Sequence, residues 1–244
     1  MNHWRTRPLA RRIRLFSRLC SVIRRSGLDR VLWLVGYIEE VQGGQRSRDY
    51  RLPVNRAGDA LPWYTYPAIE FLEQLDFSGC DVFEYGSGNG SRYWATKARN
   101  VISVESDLEW YQKGIFDISA NRKLLLKTDK AEYLRVINDN HSQFDVIIID
   151  GKYRYDCARE AVPRLKAGGF IVLDNSDWFP KTAQLLRQAG LIQIDFIGNG
   201  PINSYAWATS LFFRGVLIPA RGGDVVSVRV NGGLEQVCES NRPE

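Results

Sequence analysis

Two apolar runs that each end in an aspartate constrain the fold of this chain more than any other feature. They are FDVIIID at residues 144–150 and GGFIVLD at residues 168–174. Neither run alternates with polar residues, as expected for parallel strands that are covered on both faces. From residue 66 onward, helical and β-like segments alternate along the chain, which predicts an open parallel sheet with helices on both faces. The predicted helices include 108–119, 130–138 and 155–165.

The last two β-like runs, residues 191–197 and 205–213, predict a different connection. Only GNGPINS separates them, which is too short for a helical crossover, so they should pair antiparallel. The sequence therefore predicts a three-layer α/β sandwich whose mostly parallel sheet ends in an antiparallel hairpin. The predicted divisions are a basic helical extension at 1–40, a linker or ordered loop at 41–62, the main domain at 63–214 and a tail at 215–244.

The positive charge of the chain is concentrated at its N-terminus. Residues 1–30 hold nine arginines and one acid, a net charge of +8, so the other residues carry −3 of the overall +5. One helical face of this segment is apolar; it consists of Leu9, Ile13, Phe16, Cys20 and Ile23. Two interpretations stay open, namely peripheral contact with an anionic membrane and docking of the apolar face on the main domain. Because the charge is local, nucleic acid is not an expected partner.

Export and metal-dependent folding are not expected. The apolar run at residues 31–38 is far shorter than the roughly 20 residues that span a bilayer. No small-residue cleavage site follows the paired arginines, so we expect a cytoplasmic protein, peripheral to the membrane if its N-terminus binds lipid. Four scattered cysteines and two histidines offer no zinc motif.

The segment VFEYGSGNGS at residues 82–91 carries the strongest chemical signal. A predicted strand runs into Gly86, Gly88 and Gly90 and then directly into a helix. Glycines allow a tight turn and a close approach of the backbone to a ligand, and the helix start adds free N–H groups. The nicotinamide fingerprint fails because Ser91 holds its third glycine position. Glu84, at the strand end, suits a ligand that bears an ammonium group.

This segment resembles motif I of the class I S-adenosylmethionine-dependent methyltransferases, and the resemblance extends over residues 63–213. It implies a Rossmann-like fold and S-adenosylmethionine as the cofactor. The residues that would hold the methionine part of the cofactor are Glu84, Gly86, Ser87, Gly88 and Gly90. By the same resemblance, Glu105 would accept hydrogen bonds from the ribose, and Asp129 would lie beside the adenine unless it caps the following helix.

Polar residues follow the two apolar strands, where ligands bind in open α/β sheets. Asp150, Asp174 and Asn175 resemble the metal ligands of the cation-dependent O-methyltransferases, which implies a Mg²⁺ site. The lysine of that family stands three places after the first aspartate, whereas Lys152 stands two places after Asp150. Where the acceptor is a hydroxyl, a base is required, and we expect it to be Asp150 or Lys152. The alternative is that these groups cap helices or bind substrate, with Lys152 or an N-terminal arginine neutralising the acids.

Aromatic residues before the first strand and polar residues in the hairpin loop are further candidates. Trp63, Tyr64 and Tyr66 would cover the cofactor, or they simply pack at a helix start. Asn203 and Tyr205 would touch the substrate, because the hairpin loop opens at the same sheet edge.

The sequence thus predicts a methyltransferase that acts on a small molecule, at oxygen. The NPPY-type signature of many enzymes that methylate amide or nucleic-acid nitrogen is missing after the fourth strand. Three alternatives remain open. They are an aminopropyl-transferring enzyme that uses Asp150, Asp174 and Asp177, an NAD-dependent enzyme, and a non-catalytic, membrane-associated cofactor-binding protein.

Overall fold

The computed structural model describes residues 24, 26–114, 119–141 and 143–214. The apolar face predicted for residues 9–23 and the predicted tail at 215–244 lie outside the described residues. So do residues 115–118, which were predicted to belong to a helix at 108–119.

Strands and helices alternate through the described chain, as the sequence predicts. The strands are β1 (Asp81–Tyr85), β2 (Asn100–Glu105), β3 (Arg122–Leu126), β4 (Phe144–Ile149), β5 (Leu165–Leu173), β6 (Leu191–Gly198) and β7 (Trp207–Arg214). The α-helices are α1 (Leu28–Gly36), α2 (Gly44–Tyr50), α3 (Tyr66–Leu72), α4 (Asn89–Lys97), α5 (Leu108–Gly114), α6 (Lys130–Arg135), α7 (Arg154–Ala161) and α8 (Pro180–Gln188). Shorter 3₁₀ or π turns cover Tyr37–Val41, Val136–His141 and Val162–Arg164.

The seven strands form one sheet in the order β3-β2-β1-β4-β5-β7-β6. The first five strands are parallel to one another, and β7 pairs antiparallel with both β5 and β6. The predicted Rossmann-like sandwich with a terminal antiparallel hairpin is confirmed. In addition, β7 lies between β5 and β6, so the last strand is inside the sheet rather than at its edge.

The parallel strands are buried on both faces, which explains their apolar runs. Phe83 and Ile147 pack in one cluster with residues of α6, α7 and α8. Their neighbours Val82 and Ile148 point the opposite way and pack in a second cluster with residues of α3 and α4. Successive side chains of a strand alternate between faces. A strand that is covered by helices on both faces therefore needs an apolar residue at every position.

Two helices end earlier than the sequence predicts. The predicted helix at 155–165 stops at Ala161 and continues as a 3₁₀ turn. Pro163 has no backbone N–H, so it can occupy the first turn of a new helix but cannot continue the old one. The predicted helix at 130–138 likewise changes to a 3₁₀ turn after Arg135.

The segment between α1 and α3 is ordered. It contains α2 and an isolated antiparallel bridge between Val54 and Ala60. Ser47 is fully buried, and its hydroxyl donates to the Val54 carbonyl at 2.8 Å. None of the helices in the described ranges is both long and apolar enough to cross a membrane.

Candidate active site

A cavity of about 640 Å³ lies at the carboxyl ends of the parallel strands. It is bounded by the ends of β1, β2, β4 and β5, by residues 51–53 and 63–64, and by the loop between β6 and β7. All but one of the predicted cofactor, catalytic and metal residues line it; these are Glu84, Gly86, Ser87, Gly88, Gly90, Glu105, Asp150, Lys152, Asp174 and Asn175. Because the ends of parallel strands share one edge of the sheet, residues far apart in sequence meet here.

The glycine loop is wedged between two strands on one side and open on the other. Gly86 has a φ of 102°, and a Cβ there would lie 3.0 Å from the Asp150 carbonyl oxygen. A Cβ on Gly88 would meet no atom within 4 Å, although Gly88 lines the cavity. Gly86 therefore serves the fold, and Gly88 leaves free space beside the loop.

Glu84 is a buried carboxyl directly under the start of α4. Its Oε2 accepts hydrogen bonds from the hydroxyls of Ser103, at 2.7 Å, and of Ser91. A Cβ on Gly90 would lie 3.2 Å from Oε1, so a glycine at that position makes room for the carboxyl. Burial raises the pKa of Glu84 to about 7, against the lowering effect of the two serine bonds. Glu84 can therefore hold or release a proton near neutral pH.

Glu105 is fixed in position at the end of β2. Its Oε2 accepts a hydrogen bond from Ser87 at 2.9 Å, and its Oε1 accepts from the backbone N–H groups of Ser106 and Asp107 at 2.7 and 2.9 Å. Trp110 also lines this part of the cavity and is 45% exposed. Trp110 was not predicted from the sequence, although an aromatic residue in the first turn of the helix after β2 is a recognisable feature.

Asp129 does not line the cavity. It is exposed, and its Oδ1 accepts a hydrogen bond from the Glu132 N–H at 2.9 Å, which makes it the N-cap of α6. Of the two roles that the sequence left open, the structure gives this residue the helix cap.

Arg154, which the sequence analysis did not single out, joins the ends of β4 and β5. Its Nη2 donates to Asp150 Oδ1 at 2.9 Å, and its Nε donates to the Gly151 carbonyl at 3.1 Å. Its Nη1 donates to Asn175 Oδ1 at 3.2 Å and to the Asp174 carbonyl. The side chain is 11% exposed, and the guanidinium lies 4.5 Å from the ring centre of Phe179. No helical spacing rule relates the two residues, because Asp150 follows a strand and the helix begins only at Arg154, so no local pattern marked this arginine.

The predicted Mg²⁺ site at Asp150, Asp174 and Asn175 finds no support in this arrangement. The Arg154 guanidinium occupies the position between Asp150 and Asn175. Asp174 Oδ1 instead accepts hydrogen bonds from Trp207 Nε1, at 3.1 Å, and from the Thr209 hydroxyl. In the described ranges, no group of three or more histidine, cysteine or acidic side chains could hold a metal. A fixed cation already balances these acids, so the residues present do not fit a divalent ion.

The two aspartates are electrostatically linked. Burial raises the pKa of Asp174, and the nearby Asp150 raises it further, against Arg154 and the bonds from Thr209 and Trp207. Burial also raises the pKa of Asp150, against the attraction and hydrogen bond of Arg154. Lys152 lines the cavity with an exposed side chain and has no ion pair with any residue that the structure describes.

The aromatic residues divide into walls and core. Of the aromatic residues predicted to cover the cofactor, Trp63 and Tyr64 line the cavity, whereas Tyr66 is buried and does not line it. The hairpin-loop residues Asn203 and Tyr205, which were predicted to touch the substrate, also line it. Two tryptophans were missed by the sequence analysis and stand beside Tyr205. The ring centres of Trp178 and Trp207 lie 6.2 and 5.9 Å from that of Tyr205. The part of the cavity wall around Tyr205 is therefore largely aromatic.

Comparison with known proteins gives a result only at the level of structure. No protein-family model and no curated protein matches the chain. The O-methyltransferase TomG from Streptomyces achromogenes, solved with S-adenosylmethionine, has a TM-score of 0.52 at 14% identity; the match covers 70% of this chain and 87% of TomG. A TehB-like methyltransferase from Corynebacterium glutamicum has a TM-score of 0.45 at 16% identity, covering 70% of this chain and 97% of its own.

A third solved structure is a methyltransferase from Streptococcus mutans in complex with S-adenosylhomocysteine. Its TM-score is 0.46 at 14% identity, and the match covers 59% of this chain and 93% of that chain. At such identities a structural likeness concerns the fold, and TomG carries that likeness together with the sheet order described above. The chain has the fold of the class I S-adenosylmethionine-dependent methyltransferases.

Proposed function

We propose that this protein is an S-adenosylmethionine-dependent methyltransferase that acts on a small molecule. The proposal rests mainly on the empty space beside Gly88, where an added Cβ would meet no atom within 4 Å. We propose that the cofactor occupies this space, between the buried carboxyl of Glu84 and the carboxylate of Glu105, which backbone N–H groups hold in place. A merely structural strand-to-helix turn would need Gly86 but would give no reason for free space beside Gly88.

The residues around the loop fit the chemistry of the proposed cofactor. Glu84 can stabilise an ammonium group when ionised, and Glu105 offers carboxylate oxygens to ribose hydroxyls, since its position is fixed by backbone N–H groups. Trp110 supplies a flat apolar surface for a base. When bound, S-adenosylmethionine supplies an electrophilic methyl group. The protein's own part is to hold an acceptor in line with it and to exclude water.

We propose an oxygen atom as the methyl acceptor, with Asp150 as the base. The Arg154 bond holds Asp150 Oδ1, which leaves Oδ2 to accept the hydroxyl proton. Lys152, at the rim of the cavity, is the second candidate base. No metal is required in this scheme, since the guanidinium already balances the acids. Transfer of labelled methyl to hydroxyl compounds supports the assignment, and transfer to amines alone contradicts it.

The aminopropyl-transferring alternative fits less well. It needs free carboxylates for a polyamine, but Asp150 is paired with Arg154, and Asp174 accepts from Trp207 and Thr209. Asp177 Oδ1 accepts the Ala208 N–H at 3.0 Å. Each of the three acids on which that alternative depends thus has one carboxylate oxygen already hydrogen-bonded, which leaves fewer oxygens for the amino groups of a polyamine.

Calorimetry with Gly88→Val tests the proposal. The wild-type protein should bind S-adenosylmethionine and S-adenosylhomocysteine, and Gly88→Val should abolish binding because its side chain fills the open space. Gly79→Val is the matched control, since Gly79 also has open space around it but lies in an exposed turn away from the cavity. Clear binding of NAD with no heat from either methionine ligand would refute the proposal.

A further inference from the structure

Helix α1 presents an unusual concentration of exposed apolar side chains. Its exposed apolar residues, here called the α1 surface, are Leu28 (46% exposed), Val31 (55%), Leu32 (58%), Trp33 (68%), Leu34 (52%) and Val35 (51%). Single exposed apolar residues are common, but here six of the nine residues of one helix are apolar and exposed, five of them consecutive. Such a concentration marks a surface that contacts something apolar.

The helix is joined firmly to the body of the protein just after this patch. In the π-helical turn Tyr37–Val41, the hydroxyl of Tyr37 donates to Glu70 Oε1 at 2.9 Å. Ile38 packs against the core cluster under α3 and α4. The α1 surface thus projects from an anchored base, and whatever it contacts would hold the whole domain.

The charge of the sequence that leads into α1 selects the kind of partner. Residues 1–30 carry nine arginines and a single acid, Asp29. Two copies of the chain that met through α1 would bring two segments of +8 together and repel each other. Nucleic acid would use the arginines but would leave the apolar side chains in water. An anionic bilayer uses both, because tryptophan and leucine enter its interface while arginines remain at the headgroups.

We infer that the α1 surface and the neighbouring arginines bind the protein peripherally to an anionic lipid bilayer. This inference does not depend on the proposed methyl transfer. The apolar side chains supply insertion energy, and the arginines supply an attraction that salt weakens. The two contributions can be measured separately.

Vesicle co-sedimentation of the full chain tests this inference. Binding to vesicles of phosphatidylcholine with phosphatidylglycerol should exceed binding to phosphatidylcholine alone and should fall as salt rises from about 0.1 M to 1 M. Leu32→Ser with Trp33→Ser should lower the partition coefficient roughly tenfold or more at both salt concentrations. Leu75→Ser with Ile194→Ser, which removes similarly exposed side chains elsewhere, should leave it unchanged.

A charge variant separates lipid from the other occupants. A full-length protein with the six arginines of residues 1–23 changed to glutamine should lose the preference for anionic vesicles and the salt dependence. The inference is overturned if wild type does not bind vesicles, or if it forms a dimer that the Leu32→Ser, Trp33→Ser variant dissociates. It is also overturned if Leu32→Ser alone lowers the free energy of unfolding by more than about 1 kcal/mol (about a fivefold change in the folding equilibrium), because the α1 surface would then pack on this chain itself. Leu32 is used for this measurement because Trp33 stacks on Tyr37.

Discussion

Arg154 shows how one side chain can supply the positive charge for which the sequence predicts a bound cation. Asp150 and Asp174 follow neighbouring parallel strands, and two carboxylates in such a place repel unless a positive charge lies between them. The guanidinium has five N–H donors in a planar fork, and it reaches acceptors on both strand ends at once. A magnesium ion at the predicted site would compete with Arg154 for Asp150 Oδ1 and Asn175 Oδ1.

Replacing Arg154 should destabilise the fold measurably. Breaking a buried ion pair typically costs 3–5 kcal/mol; because the Asp150 side chain is 31% exposed, we expect Arg154→Met to cost about 1–3 kcal/mol. Asp150→Asn should restore part of the loss in the double variant, since no unpaired charge is then left. Chemical denaturation measures both, with Arg159→Met on the exposed side of α7 as the control.

The same denaturation curves test whether the protein contains a stabilising metal ion. Excess chelator should leave the wild-type free energy of unfolding unchanged, since a side chain and not an ion balances the acids. A chelator-induced loss, or the same stability in Arg154→Met as in wild type, would contradict the role given to Arg154.

At the scale of elements, the sequence predicted what depends on local pattern and missed what depends on tertiary pairing. The apolar runs that end in Asp150 and Asp174 predicted the buried strands, because a strand that is buried on both faces needs an uninterrupted apolar sequence. The glycines predicted the turn after β1, because a tight turn needs their backbone freedom. The insertion of β7 between β5 and β6 leaves no such trace. The Arg154 cluster was also missed, since an arginine at the start of a helix usually faces solvent, and only the meeting of two strand ends buries it.

The strand–loop–helix element from β1 to α4 offers a matched pair of glycine variants. Gly86→Ala should cost about 1–3 kcal/mol, because its positive φ is unfavourable for alanine and its Cβ would lie 3.0 Å from the Asp150 carbonyl. Gly88→Ala should change stability by less than about 0.5 kcal/mol, because its Cβ would enter open space. The denaturant midpoints of the two variants measure this difference in stability. If both substitutions lowered the midpoint equally, the loop would not have the conformation described here.

Across the whole molecule, the two ends of the sheet respond oppositely to pH. At the amino end, hydrogen bonds from Arg99 lower the pKa of Asp81 to about 2. Asp81 therefore adds stability above the pKa that it has in the unfolded chain, and this stability is lost as the pH falls toward 2. At the carboxyl end, burial raises the pKa of Glu84 and of Asp174. The acids at the carboxyl ends of the strands, which form the cavity, therefore lower the free energy of unfolding at neutral pH.

The last prediction concerns this cost at Glu84. Its pKa is about 7 in the folded protein against 4.5 for the free side chain, so the folded state keeps a proton that the unfolded state has released. The free energy of unfolding should therefore fall as the pH rises between these values, by about 3 kcal/mol from Glu84 alone. Between pH 5 and 8, which covers most of this range, Glu84→Gln cannot ionise and should therefore lose about 2.5 kcal/mol less than wild type in denaturant titrations of the cofactor-free protein. Glu109→Gln, with the same change at an exposed position, should keep the wild-type slope. Parallel curves for wild type and Glu84→Gln would mean that the Glu84 carboxyl is ionised throughout, and burial would then not be what sets the chemistry of this cavity.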